Sequence, residues 1–242
     1  MKPLRLPGTY APQGDTHLLA EVMTSLGVVQ GKRVLDLCTG TGAIALVAAE
    51  HGAAAVTAVD LSHRAVLTAR LNAWRAGLRI DVRRGDLFAP VAGDRFDLVV
   101  ANPPYVPAQS SRLPRHGAAR CWDAGPDGRA LVDRICAGVA DVLAPGGVLL
   151  ITHSSLTNTE RTLDQLARAG LEASVAARSW VPFGPVLNER ATWLAEQGLI
   201  EPAQQMEELV VVAATLAAVT EAQVPEPRVP VSDQRPSDLV TG

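Results

Sequence analysis

A strand that runs into a glycine turn and passes straight into a helix leaves few folds open. Arg33–Leu37 is a short apolar run that ends in Asp36-Leu37-Cys38-Thr39-Gly40-Thr41-Gly42, and Ala43–Glu50 then has the composition of a helix. A second buried strand fits Ala55–Val59, and Ser62 is placed to cap a helix carrying Leu67, Leu71 and Trp74. A third strand fits Arg79–Arg83. A fourth fits Phe96–Ala101, whose Leu98-Val99-Val100-Ala101 suits a strand covered on both faces. Strands alternating with helices predict an α/β fold built on a mostly parallel sheet with helices on both faces.

The second half continues the pattern after an interruption. Residues 105–126 are rich in Pro, Ser, Gly and Arg without periodicity, too long for a plain connector, so a functional or mobile loop is expected. Asp127–Leu143 reads as helix, Pro145-Gly146-Gly147 as a turn and Val148–Thr152 as a fifth strand. Thr159–Ala169 reads as helix with Gly170 as its stop. Ser174–Val181 and Leu209–Leu216 are the last two strands, with a helical portion at 188–197 between them. At 242 residues this makes one domain over 1–222, opened by a leading segment and helix at 1–30. The Pro-bearing polar tail at 223–242 is expected to be disordered.

Composition narrows the partners. A formal net charge of -3 gives no global basic field for nucleic acid, which leaves only a local patch to serve that purpose. Three cysteines without Cys-x-x-Cys spacing and five scattered histidines indicate neither a metal site nor a disulfide framework. The apolar runs are too short to span a bilayer and no charged-then-apolar leader opens the sequence, so a cytoplasmic protein without membrane attachment is expected.

The chemistry gathers at the carboxyl edge of the expected sheet, where such folds bind ligands. Gly40 and Gly42 bare the backbone at a helix N-terminus, as a nucleotide-type ligand requires. Gly40-Thr41-Gly42-Ala43-Ile44-Ala45 also satisfies the G-x-G-x-x-G/A pattern of NAD-binding domains, so this turn alone leaves an NAD-dependent oxidoreductase open. Asp60, ending the second strand, can accept from ribose hydroxyls of either cofactor. Asp86, in Gly85-Asp86-Leu87, can accept from an adenine amine while an apolar neighbour packs on the ring. Asp36 either receives the amino group of a cofactor or ties down the glycine loop; three acids at successive strand ends favour ligand contact.

Asn102-Pro103-Pro104-Tyr105 separates the two cofactors. It begins where the fourth strand stops, on the same edge as the glycine turn. Two prolines stiffen the segment, so the Pro103 carbonyl and the Asn102 side-chain oxygen can grip both hydrogens of a planar NH2 group. That draws the nitrogen lone pair out of conjugation and aims it at a methyl donor. Tyr105 can pack over the planar group. Hydride transfer needs none of this.

With these residues, the chain resembles the HemK-type glutamine N5-methyltransferases, in the free-standing branch that lacks an N-terminal helical domain. The match runs over residues 9–180 and takes in Tyr10-Ala11-Pro12, Asp15-Thr16, Trp122, Gly125 and Gly128-Arg129. The resemblance implies a class I methyltransferase with a Rossmann-like seven-stranded sheet, using S-adenosylmethionine and releasing S-adenosylhomocysteine. It implies cofactor contacts from Asp36, Thr39, Gly40, Gly42, Asp60, Leu61, Asp86, Leu87, Asn102 and Thr16, although Asp15 or Thr16 also reads as an ordinary helix N-cap. It implies that Asn102 and Pro103 hold the acceptor nitrogen, with Pro104 and Tyr105 against it. The substrate so implied is the glutamine of the Gly-Gly-Gln loop of translation release factors.

Related enzymes with the same tetrapeptide methylate the exocyclic amines of bases, which keeps a nucleic-acid or small-molecule acceptor in view. Members of the branch in archaea and eukaryotes work with a small zinc-binding activator subunit, which no residue pattern here demands. Two departures stand out. Residues 182–207 are an insertion where compact members have a short connection, and residues 106–125 carry Arg112, Arg115, His116 and Arg120, which read as a contact for RNA or an acidic surface or as a solvated loop.

Overall fold

The computed structural model describes residues 3–218. The expected disordered tail at 223–242 lies outside these residues. In chain order the elements are α1 (Gly14–Ser25), β1 (Arg33–Leu37), α2 (Ala43–Glu50), β2 (Ala55–Asp60), α3 (His63–Ala76), β3 (Asp81–Arg84) and β4 (Phe96–Ala101). They continue with α4 (Val132–Gly138), β5 (Leu143–Ser154), α5 (Thr159–Arg168), β6 (Leu171–Pro182), α6 (Pro185–Glu196) and β7 (Met206–Leu216).

One seven-stranded sheet has the order β3-β2-β1-β4-β5-β7-β6. The first five strands are parallel, and β7 inserts antiparallel between β5 and β6. A dinucleotide-binding sheet has the order 3-2-1-4-5-6, without such an insertion. The seven-stranded, mostly parallel sheet read from the sequence is therefore present, and its last two strands set it apart from the NAD-binding arrangement.

Side-chain alternation explains the two layers of helices. In β4, Leu98 and Val100 join Val34, Ile44, Ala45 and Leu19 on the face of α1, α2 and α3. Val99 and Ala101 join Leu35, Leu37, Ile135 and Leu166 on the face of α4 and α5. An uninterrupted aliphatic run belongs in a strand buried on both sides, because each neighbour points into a different core. Ser62 caps α3 by accepting from the Ala65 amide at 3.4 Å, and Gly77 ends the helix at φ +67°.

Several expectations need correction. Leu67 and Trp74 are exposed, and α3 turns Ala65, Val66, Ala69 and Ala73 inward instead. Small residues let α2 approach α3: a Cβ on Gly42 would lie 3.1 Å from that of Ala69. β3 starts at Asp81 rather than Arg79. The helix expected from Asp127 covers only Val132–Gly138 and a short 3-10 turn, because the Asp127 and Arg129 side chains are drawn into contacts that hold the preceding turn. Pro145-Gly146-Gly147 does not divide two elements. It bulges within β5, where the register against β4 jumps from Phe96↔Leu143 to Leu98↔Val148.

The region expected to be an insertion holds the end of β6, the helix α6 and the start of β7. β6 and β7 each run longer than their apolar patterns suggested, as an antiparallel pair from Leu171↔Leu216 to Pro182↔Met206. Between them α6, with Pro185 in its first turn, buries Leu187 and Leu194 in a small separate core with Phe183 and Ile200.

Candidate active site

All the strand-end residues singled out above meet at one cavity of about 630 Å³ on the carboxyl edge of the sheet. Its walls include Asp36, Thr39, Gly40, Asp60, Leu61, Asp86 and Leu87 at one end and Thr16 with Asn102-Pro103-Pro104-Tyr105 at the other. Gly42 stands apart from the wall. It starts α2 at φ +83° and lets that helix close on α3.

At the glycine end the acids are held by backbone. Asp36 is buried, and one oxygen accepts from the Thr39 hydroxyl at 2.5 Å and the Ala45 amide at 3.1 Å. Asp36 therefore ties down the glycine loop, and its second oxygen has no part in that tie. Burial pushes its carboxyl up to about 7, against the two hydrogen bonds. Asp60 accepts from the Gly40 amide at 3.0 Å and the Ser62 amide at 2.7 Å, and burial raises its carboxyl despite both bonds. Asp86 is half-exposed and pairs with Arg134 of α4 at 2.8 Å, so one oxygen is engaged and the other is not.

The acceptor end is assembled from distant segments. Asp15 and Thr16 cap nothing: Gln13 is the N-cap of α1, and the two residues occupy its first turn. There Asp15 is buried and its carboxylate accepts from the Tyr10 hydroxyl at 2.7 Å, the Tyr105 hydroxyl at 3.1 Å and the Thr16 amide at 2.6 Å. Thr16 in turn accepts from Asn102 Nδ2 at 3.2 Å. With the Asn102 NH2 spent on Thr16, its oxygen is left as the acceptor for a ligand. The Tyr105 hydroxyl is fixed by Asp15, and burial first, then the Asp15 charge, keeps it protonated. The ring is thus set in place before any substrate arrives.

Sequence reasoning treated Asp15 as a cap and gave no role to Tyr10, Asn72 or Glu207. Asn72 of α3 donates to the carbonyls of Leu4 and Thr41, which pins the leading segment against the glycine turn. Glu207 opens β7 and lines the cavity. Gly128 permits another close approach, because at φ +71° a Cβ there would collide with the Tyr105 carbonyl. Next to it, Arg129 is fully buried and donates to Asp133, the Asn158 carbonyl, Thr162 and Gln165, which fastens α4 to α5.

The loop after Tyr105 is ordered by pairing back on itself. Val106 and Asp123 form a bridge, and the Ala108 amide donates to Gly125. Arg190 of α6 clasps this loop through the Pro107 carbonyl at 2.8 Å and Asp123 at 2.7 Å, while Val186 and Leu187 reach the cavity wall. Residues 184–187 of the 182–207 segment therefore line the same cavity as Asn102 and Tyr105. Of the loop's basic residues, Arg112 and Arg115 are exposed, while Arg120 faces the cavity and acts on Asp60.

Residues 9–114 match the methyltransferase small domain family. A protein of Methanocaldococcus jannaschii assigned as a protein N5-glutamine methyltransferase is 35% identical over 177 residues, covering 73% of this chain and 88% of its own length. The chain belongs to the glutamine N5-methyltransferase family. Family membership removes the NAD-dependent oxidoreductase that the glycine pattern left open. The release factor glutamine methyltransferase of Bordetella pertussis is 40% identical over 175 residues, covering 68% of this chain and 63% of that one. The chain thus spans nearly all of the archaeal relative but under two thirds of this bacterial one. Among solved structures, the E. cuniculi Mtq2–Trm112 complex aligns at TM-score 0.62 and 22% identity, over 87% of this chain and 99% of that one, which shows the shared fold. A Thermus thermophilus 16S rRNA methyltransferase bound to AdoMet and guanosine shares it at TM-score 0.55 and 22% identity, over 88% of this chain and 46% of that one.

Proposed function

We propose that this methyltransferase uses S-adenosylmethionine to methylate the side-chain amide nitrogen of a protein glutamine, of the kind carried by translation release factors. The observation that carries the reading is the fixed chain Asn102–Thr16–Asp15–Tyr105, which leaves an amide oxygen and a locked aromatic ring beside the glycine turn. The names of the relatives as release factor and N5-glutamine methyltransferases support the substrate class.

The residues present fit the donor. Gly40 at φ +56° opens the backbone, Asp60 is held at the end of β2 for ribose hydroxyls, and the free oxygen of Asp36 faces the same cavity for an amino group. Leu61 and Leu87 flank the adenine end with Asp86, and Thr39 and Thr16 complete the wall. When bound, S-adenosylmethionine supplies an electrophilic methyl group on a sulfonium. The chain's part is to hold the acceptor. Asn102 Oδ1 and the Pro103 carbonyl accept from the two amide hydrogens, Tyr105 covers the planar group, and Pro104 keeps the segment stiff.

The relatives named for translation factors and a ribosomal protein support a cytoplasmic reaction. A second chain, as in the complex that shares the fold, is a partner to look for in a pull-down. Transfer of labelled methyl groups decides the acceptor. Label on a release factor, lost when the glutamine of its Gly-Gly-Gln loop becomes alanine, is expected. Label on RNA, DNA or a small amine instead would move the same chemistry to another NH2 group.

A further inference from the structure

Among the described residues, Glu207 is the one acid lining the cavity with no evident task. Because β7 is antiparallel, its beginning, and not its end, lies at the ligand edge. Leu209 pairs with Ser154, the last residue of β5, and Glu207 lies two residues earlier, opposite Val181. The side chain lines the cavity yet is only 7% exposed, and its Oε2 has no hydrogen-bond partner.

The charged and titratable groups that face it are Asp15 of α1, Tyr10 of the leading segment and Tyr105 after β4; the Ser154 hydroxyl of β5 also acts on it. None is a cation. Asp36 and Asp60 hold the glycine loop in place, but Glu207 meets only the Ser154 hydroxyl and keeps its Oε2 free. Burial, with a smaller push from Asp15, raises its carboxyl to about 7, so it exchanges protons near neutrality.

The acceptor nitrogen must lose a proton. Its lone pair forms the new C–N bond while the C–S pair stays with the donor's sulfur, so the nitrogen takes on the positive charge and one hydrogen too many. The other groups at this end are poorly suited to receive it. Both oxygens of Asp15 already accept hydrogen bonds, Tyr10 and Tyr105 are donors held protonated by burial, and the Asn102 amide is hardly basic.

We propose that Glu207 is the proton acceptor of the reaction: one N–H bond breaks with its pair kept by nitrogen, and the hydrogen passes to the free carboxylate oxygen. Once the nitrogen turns pyramidal its hydrogens leave the amide plane, which frees one of them from the planar grip. Ionised Glu207 also places a negative charge where positive charge develops. This step rests on the amide-nitrogen reading above.

Single-turnover methylation of a release factor tests it with native protein, E207Q and E207D, alongside calorimetric donor binding. The native rate should climb from about pH 6 to about pH 8, with E207Q slower by about a hundredfold, flat with pH and unchanged in donor affinity. E207D should keep the pH dependence at an intermediate rate. A native-like rate and profile in E207Q would overturn the proposal, as would a defect confined to KM. If E207Q does not fold, a native rate that is flat over the same range overturns it equally. Failure of the native protein to label release factor would count against the substrate class alone, and the same profile is then read on whichever NH2 compound takes the label.

Discussion

The two ends of the cavity are built by opposite means. At the glycine end, Asp36 and Asp60 meet backbone amides and a hydroxyl from the first turn and the start of the following helices, so a short stretch of chain almost completes the site. At the acceptor end, Asn102 reaches Thr16 and Tyr105 reaches Asp15, contacts that span 86 and 90 residues. Glu207 arrives from the last strand and α6 lines the same cavity. One end is a local motif, which the proposed reading assigns to the methyl donor. The other is a tertiary assembly, which is where selectivity for one acceptor can be built. The comparison teaches that damage at the two ends should be separable, with donor affinity read at one and transfer at the other.

The sharpest break is Asn102→Ala. It removes the amide oxygen and frees Thr16, so transfer at saturating donor should fall about a hundredfold or more, as for loss of one preorganised polar group. Calorimetric donor affinity should stay near native. Equal loss of both would mean that the two ends are one unit. Asp60→Ala probes the other end. An acceptor of two backbone amides is lost, and under the proposed reading an acceptor of the donor's ribose hydroxyls with it, so the donor dissociation constant should rise about ten- to a hundredfold. The rate at saturating donor should change far less. Tyr105→Phe is gentler, since the ring stays and only the bond to Asp15 goes. A rate loss of about fivefold, on the order of one neutral-donor hydrogen bond, is expected in the same single-turnover assay.

The same contrast explains what could be read from the residues. β1, α2 and β4 carry their periodicity, turn glycines and caps within a few residues, and their bounds were legible to the residue. Asp60 and the glycine turn were legible for that reason too. Asn102-Pro103-Pro104-Tyr105 was legible as chemistry, but the partner of its tyrosine was not, because nothing local says that residue 15 will lie beneath residue 105. Asp15 looked like a cap because an acid near a helix start usually is one. Glu207 was missed for a topological reason. A search for acids at the ends of parallel strands passes over the start of an antiparallel one. The inward face of α3 was not legible either, because small Ala65, Ala69 and Ala73 supply it while the larger Leu67 and Trp74 are exposed.

The smallest effect bears on stability and sets the unfastened acid against the fastened ones. A carboxyl raised to about 7 in the fold from an ordinary value of 4.5 stabilises fully below the lower value, and that contribution is lost as pH rises through the higher one. Glutamine at 207 never ionises. Melting curves of E207Q and native protein should therefore diverge with pH, E207Q gaining several degrees relative to native between about pH 5 and about pH 8.5. Taking the difference cancels Asp36, whose carboxyl is also raised to about 7, and His153, which burial lowers to about 4 and which acts in the opposite sense as pH falls. A difference in melting temperature that does not change with pH would mean that Glu207 ionises in the fold at its ordinary value, as it does in the unfolded chain. The acceptor end would then hold no strained acid, and its contrast with the glycine end would rest on Asn102, Tyr105 and Asp15 alone.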